Sequence, residues 1–214
     1  MDDVSDFIEQ CDESEHSAAG DHGPVGDHGP VRVRAAGLSD AAAIAAVHVA
    51  GWEGAYRGMI PDEAFEQRTL ARRTAIWEEL LGTSGDPIDG GRPWVALAQR
   101  EGATIGFVSL SGDGGDGGDD GDGSGDGAGD DERTVVITAL YVTPTAWRHG
   151  AGSALVDAAL AEAAERGCAD VTLWVLEPNL RARAFYERCG FADDGGRQTD
   201  REGWPVELRM RRAL

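Results

Sequence analysis

Apolar positions along the chain alternate between two periods. Val31 to Ala35 reads as a short strand, while Trp94 to Gln99 and Thr104 to Leu110 read as a hairpin turned by Arg100 to Ala103. Residues 134 to 142 and 171 to 176 are β-branched and apolar, as buried strands are. Between these runs the period lengthens to that of a helix. Ser39 is placed to cap a helix that continues to about Tyr56, with Asp40 in its first turn, and Pro61 and Asp62 open a second helix to about Leu81. Gly152, Leu155, Val156, Ala159, Leu160, Ala163 and Ala164 lie on one face of a helix spanning about 150 to 166, which Gly167 stops. A last helix at 180 to 189 and two short strands, at 191 to 198 and 205 to 211, complete a mixed α/β domain.

Residues 140 to 155 carry the strongest functional signal. A strand runs through Leu140, Tyr141 and Val142, leaves at Pro144 and enters a helix through a turn holding Gly150 and Gly152. Such a junction offers free backbone N–H groups and the positive end of the helix dipole, which suit a phosphate or pyrophosphate. The absence of a Cβ at the two glycines lets an anion approach the main chain. A second segment follows, with a buried strand, Glu177-Pro-Asn179, and then the run Ala-x-x-Phe-Tyr-Glu-x-x-Gly-Phe from Ala182 to Phe191.

Together the two segments resemble motifs A and B of the GNAT superfamily of N-acetyltransferases. The likeness covers roughly residues 32 to 212. Trp147 stands where the family usually has Arg or Gln, and Gly150 and Gly152 hold the two small positions. The resemblance implies a mostly antiparallel sheet of six or seven strands whose central parallel strands splay, flanked by about four helices. Acetyl-CoA is the implied co-substrate. Its arm would meet the main chain of Leu140, Tyr141 and Val142, and its pyrophosphate the turn formed by Trp147, Arg148, His149, Gly150, Ala151, Gly152 and Ser153. A primary amine would attack the thioester directly in a ternary complex. At its ordinary pKa of about 10.4 an alkyl ammonium is only roughly 0.1% neutral near pH 7.4, so a proton must leave before attack. Tyr186 is the implied acid for the departing thiolate, and Asn179 either braces the cofactor or a water or caps the last helix. The family's usual strand carboxylate is replaced by Ala139, which leaves Glu177 as the nearest acidic group and water-mediated deprotonation as its rival. Glu177 could equally pair with Arg181.

For the acceptor, His48, Trp52 and Tyr56 form one stripe on the first helix, with Glu53 beside it. That stripe is either a core-facing aromatic edge or a pocket wall, in which Glu53 attracts an ammonium and His48 relays a proton. A small amine-bearing molecule is the expected acceptor. A protein N-terminus, or an acyl-CoA-binding regulator without turnover, is the alternative.

Charge changes the picture at two places. The net charge is −20 over 214 residues, and residues 1 to 31 and 112 to 132 each hold nine acidic and no basic groups. The remaining chain is close to neutral, and every basic residue is Arg. We expect a disordered acidic tail at 1–31, a single domain at 32–214, and a Gly/Asp-rich loop insertion at 112–132. The composition points to a salt-adapted source, where screening shortens the Debye length to ~3 Å at 1 M salt. His22 and His28 sit in a doubled hexapeptide, and Asp120, Asp122, Ser124, Gly125 and Asp131 approach calcium-loop spacing without the flanking helices or terminal Glu. No metal is expected. Cys11, Cys168 and Cys189 lack ligand spacing and are odd in number, which predicts reduced thiols. With no leader, no apolar span and no basic stripe, the expectation is a cytoplasmic monomer or homodimer that binds neither membrane nor nucleic acid.

Overall fold

A computed structural model describes residues 29–88, 92–112, 133–199 and 203–214. His22, His28 and the aspartates of the Gly/Asp-rich insertion lie outside the described residues. Among the described residues, seven strands form one sheet in the order β1-β2-β3-β4-β5-β7-β6. They are β1 (Arg32–Ala35), β2 (Trp94–Arg100), β3 (Ala103–Gly112), β4 (Thr134–Val142), β5 (Asp170–Leu176), β6 (Ala192–Gln198) and β7 (Glu207–Ala213). Neighbours run antiparallel except β4 and β5, which are parallel. That parallel pair requires a crossover, and the helix α4 (Ala151–Glu165) supplies it.

Both faces of the sheet are covered, so the central strands are buried on both sides, as along Val95–Ala98 of β2 and Gly106–Ser111 of β3. On one face α1 (Ala41–Tyr56) and α3 (Leu70–Gly82) bring Ile44, Val47 and Trp77 against Val95, Leu97 and Phe107. On the other, Leu155, Val156, Ala159 and Ala163 of α4 pack on Val108, Leu110, Val135 and Val171. Leu155, Leu110 and Phe107 are fully buried, each contributing on the order of 1.5–3 kcal/mol relative to exposure. The last helix, α5 (Leu180–Arg188), adds Phe185 and Tyr186 to the edge of this second core.

The expected second helix is two. A single turn, α2 (Glu63–Glu66), precedes α3, and between them Thr69 is extended, its hydroxyl accepting from the Arg72 amide at 3.3 Å. An N-cap at Thr69 restarts the helix and separates the two segments. At the first helix, Ser39 falls inside a 3-10 turn from Leu38 to Asp40. Asp40 holds that entry, accepting from the Gly37 amide at 2.9 Å and from both Nη atoms of Arg34 at 2.7 Å. Cys168 and Cys189 are free thiols. No described helix is long and apolar enough to cross a membrane.

Candidate active site

The parallel pair is short. β4 and β5 are in register only from Thr134 opposite Asp170 to Ile137 opposite Leu173. At that point the β3–β4 ladder slips by one residue, between Ser109 and Leu110, leaving Thr138 as the extra residue on β4. Its hydroxyl bonds to Ser109 Oγ at 3.2 Å. A bulge bends its strand, and beyond this one residues 138–142 leave β5, opening a wedge between the two strands.

The phase of the remaining ladder decides which groups face the wedge. Thr143 N donates to Ile105 O at 2.9 Å, and Tyr141 lies opposite Phe107. In an antiparallel pair, bonded and non-bonded residues alternate. Residues 139, 141 and 143 therefore turn their main-chain groups to β3, and those of Leu140 and Val142 point into the wedge. This corrects one expectation: the main chain of Tyr141 belongs to the β3 ladder, and the residue reaches the site through its side chain.

The turn at the mouth of the wedge is built around Trp147. Its indole Nε1 donates to Val142 O at 2.7 Å, and the Arg181 guanidinium lies 3.6 Å from the centroid of its ring. Arg181 thus stacks on Trp147 instead of pairing with the exposed Glu177, as the sequence had allowed. Arg148 (φ 65°) and Gly150 (φ 84°) are left-handed, and Arg148, His149 and Gly150 are exposed. Ala154 N to Gly150 O, 3.0 Å, starts the α4 ladder, so the amides of Ala151, Gly152 and Ser153 precede it. The guanidinium of Arg100 fixes the turn from the β2–β3 side, donating to His149 O at 2.9 Å.

The two glycines differ in use. A Cβ on Gly150 would meet nothing within 4 Å, whereas one on Gly152 would sit 3.1 Å from Cζ of Phe185. Gly150 supplies a left-handed backbone facing solvent. Gly152 makes room for α5, and its missing Cβ is filled by a phenyl ring.

Three tyrosines converge below the turn. Tyr56 and Tyr141 share a side-chain hydrogen bond, and Tyr186 is close enough to each for their charges to interact. Burial raises all three phenols, Tyr141 well above its ordinary value, and the charges of Tyr56 and Cys189 add to the rise at Tyr186. All three are therefore protonated at neutral pH. Tyr186 packs between Phe185 and Phe191, with ring centroids 5.1 and 5.9 Å away. Asn179 is buried, and its side chain accepts from Ala182 N at 3.1 Å, which makes it the N-cap of α5.

The stripe on α1 divides. His48 turns inward, stacked on Tyr141 at 4.7 Å and accepting from Trp77 Nε1 at 3.2 Å through Nδ1. Burial, then the charges of Arg73 and Arg68, hold its pKa well below the ordinary value. His48 is a neutral core residue behind Tyr141. Trp52 and Glu53 instead line a cavity of about 350 Å³ with Val49, Arg57, Phe65 and Arg68. Arg68 lies over the Trp52 ring at 3.9 Å, and Arg57 pairs with the Glu53 carboxylate. Tyr56 sits between the two regions, its ring 5.5 Å from Trp52 and 6.5 Å from Tyr141. α1 lies this close to β4 because Gly51 and Gly54 carry no side chain: a Cβ at Gly51 would be 3.0 Å from that of Tyr141, and one at Gly54 2.8 Å from Pro144. Each glycine costs a helix interior about 1 kcal/mol relative to Ala, offset here by contact.

A mostly antiparallel sheet that parts between its parallel strands, next to a glycine turn heading a helix, is the fold of an N-acetyltransferase. The sequence profile of the acetyltransferase (GNAT) family matches residues 53–191. Over 165 residues the chain is 28% identical to a probable N-acetyltransferase of Mycobacterium tuberculosis, covering 77% of this chain and 82% of that protein. PaiA N-acetyltransferase from Thermoplasma acidophilum, solved with coenzyme A, shares the fold with a TM-score of 0.63 at 16% identity, over 86% of this chain and 99% of that one. YncA of Salmonella typhimurium, solved with its cofactor acetyl-CoA, does so with a TM-score of 0.56 at 20% identity, over 86% and 94% of the two chains. The chain belongs to the acetyltransferase (GNAT) family and is an N-acetyltransferase.

Proposed function

We propose that this protein moves the acetyl group of acetyl-CoA to the primary amine of a small molecule by direct attack in a ternary complex. The observation that carries this reading is the wedge itself: the main-chain groups of Leu140 and Val142 open between β4 and β5, at the end of β4 from which the chain runs into an exposed turn at the head of α4.

The donor set fits the co-substrate. Left-handed Arg148 and Gly150 leave the turn uncluttered, and the amides of Ala151, Gly152 and Ser153 at the head of α4 can receive a pyrophosphate. Acetyl-CoA would supply a thioester carbonyl to be attacked and a thiolate to leave. Trp147 already occupies the Val142 carbonyl, which pins the edge against which the arm would lie. Fixed main-chain donors on that edge stabilise charge developing on a carbonyl oxygen without reorganising. Tyr186 holds its proton firmly, so its hydroxyl donates a hydrogen bond to a departing thiolate; full transfer to a thiol of ordinary pKa, about 8.5, is uphill. The proton on the attacking nitrogen then satisfies the sulfur. Asn179 acts by fixing the start of α5, and hence Tyr186.

Calorimetric titration with acetyl-CoA, dephospho-CoA and a pantetheine fragment tests the first half of the reading, and thiol release with a panel of primary amines tests the second. Binding that needs the pyrophosphate, followed by amine-dependent thiol release, is expected. Equal affinity for the fragment lacking the pyrophosphate would remove the assigned turn.

A further inference from the structure

The turn at the head of α4 contains a peptide group whose orientation its own residues leave undecided. Turning over the plane between His149 and Gly150 rotates ψ of the first residue and φ of the second by roughly 180°, which would carry Gly150 from φ 84° to the negative side. A glycine adopts either sign. The choice therefore falls to a contact from outside the turn, and Arg100 makes it: Nη2 donates to His149 O at 2.9 Å, while Nε donates to Gly29 O at 3.1 Å. The arginine is itself held in place. It pairs with Ala103 across a two-residue turn in which Glu101 (φ 52°) and Gly102 (φ 83°) are both left-handed, the tight form that matches strand twist.

In a planar trans peptide the carbonyl and the following N–H point in opposite directions. With His149 O drawn to the hairpin, the N–H of Gly150 faces away from it. Strands β2 and β3 lie on one side of β4 and β5 lies on the other, so that direction leads toward the wedge. Resting on the acetyltransferase reading above, we infer that Arg100 is a positioning residue for acetyl-CoA: by holding the His149 carbonyl it aims the Gly150 amide at the pyrophosphate, beside the amides of Ala151, Gly152 and Ser153. The sequence marks this arginine only as the corner of a hairpin, 49 residues from the group it sets. A guanidinium behind an anion site also attracts the anion through space, so the test must separate the hydrogen bond from the charge.

Acetyl-CoA and S-acetylpantetheine, which lacks the nucleotide and its pyrophosphate, are titrated calorimetrically into wild type, Arg100→Met, Arg100→Lys, Gly150→Ala and the variant combining Arg100→Met with Gly150→Ala. Losing one aimed donor to a charged group should weaken acetyl-CoA binding roughly 10- to 100-fold in Arg100→Met, with S-acetylpantetheine affinity unchanged. Arg100→Lys, whose ammonium can donate to His149 O, should recover part of the loss. Arg100→Met and Gly150→Ala should be non-additive, because without the arginine Gly150 no longer keeps the conformation that an added Cβ disturbs. An unchanged acetyl-CoA affinity in Arg100→Met, or equal weakening for both ligands as a loosened hairpin would give, overturns the inference alone. So does additivity of the two substitutions, the result expected if Arg100 acts through its charge. A wild type that binds both ligands equally overturns the assignment of the turn to the pyrophosphate, and this inference with it.

Discussion

The indole N–H of Trp147 is bonded to the main-chain carbonyl of Val142 at 2.7 Å, so the residue that departs from the family's usual Arg or Gln ties the turn to the strand it follows. An Arg or Gln side chain could also donate here. Trp adds a ring that meets Gly54 of α1 on one side and the guanidinium of Arg181 on the other. Trp147→Phe keeps much of the packing and removes the donor. We expect a loss of about 1 kcal/mol in stability and weaker acetyl-CoA binding, read by thermal melting and by calorimetry.

Tyr186→Phe deletes one hydroxyl from a packed ring and leaves the turn untouched. Loss of one donor to the developing thiolate should lower the chemical rate by roughly 10²-fold while acetyl-CoA affinity holds. Single-turnover acetyl transfer separates the two quantities, and a wild-type rate in the variant would remove Tyr186 from the mechanism.

Adding a single methyl group discriminates the two glycines of the turn. Gly152→Ala puts a Cβ 3.1 Å from the Phe185 ring, and overpacking of this kind costs about 1–3 kcal/mol. Gly150→Ala meets no atom but forces a left-handed residue, costing about 1–2 kcal/mol. Melting should fall in both. Relief by Phe185→Leu is expected for Gly152→Ala and not for Gly150→Ala, as a double-mutant cycle would show.

His48 predicts a pH dependence of stability. Its folded pKa lies well below the ordinary 6.5, so the unfolded chain takes up a proton that the folded chain refuses. Stability is therefore complete above about pH 6.5 and is lost as pH falls from there toward the folded pKa, by up to about 1.4 kcal/mol per pH unit. Urea midpoints between pH 7 and 5 should show this slope, and His48→Asn should flatten it.

Strands and long helices were legible because their periods are set by burial on known faces. The break at Thr69 was not, since Phe65, Leu70, Ile76 and Trp77 can be threaded on one continuous helix and only the cap interrupts it. The wedge depends on a one-residue slip at Thr138, which no apolar pattern records. Of the α1 stripe, sequence placed four residues together, but a stripe has one face only on paper: Tyr141 intervenes, and His48 ends behind it.

The brevity of the parallel ladder has a mechanical consequence. Strands β1 to β4 form one plate and β5, β7 and β6 another, riveted by the register from Thr134 to Ile137 and bridged by α4 across its core. Tension applied between Arg32 and Gln198, on the two outermost strands, would load that seam directly. Rupture would begin at the bulge, where the plates are already apart, and run toward Thr134 like a tear started from a notch.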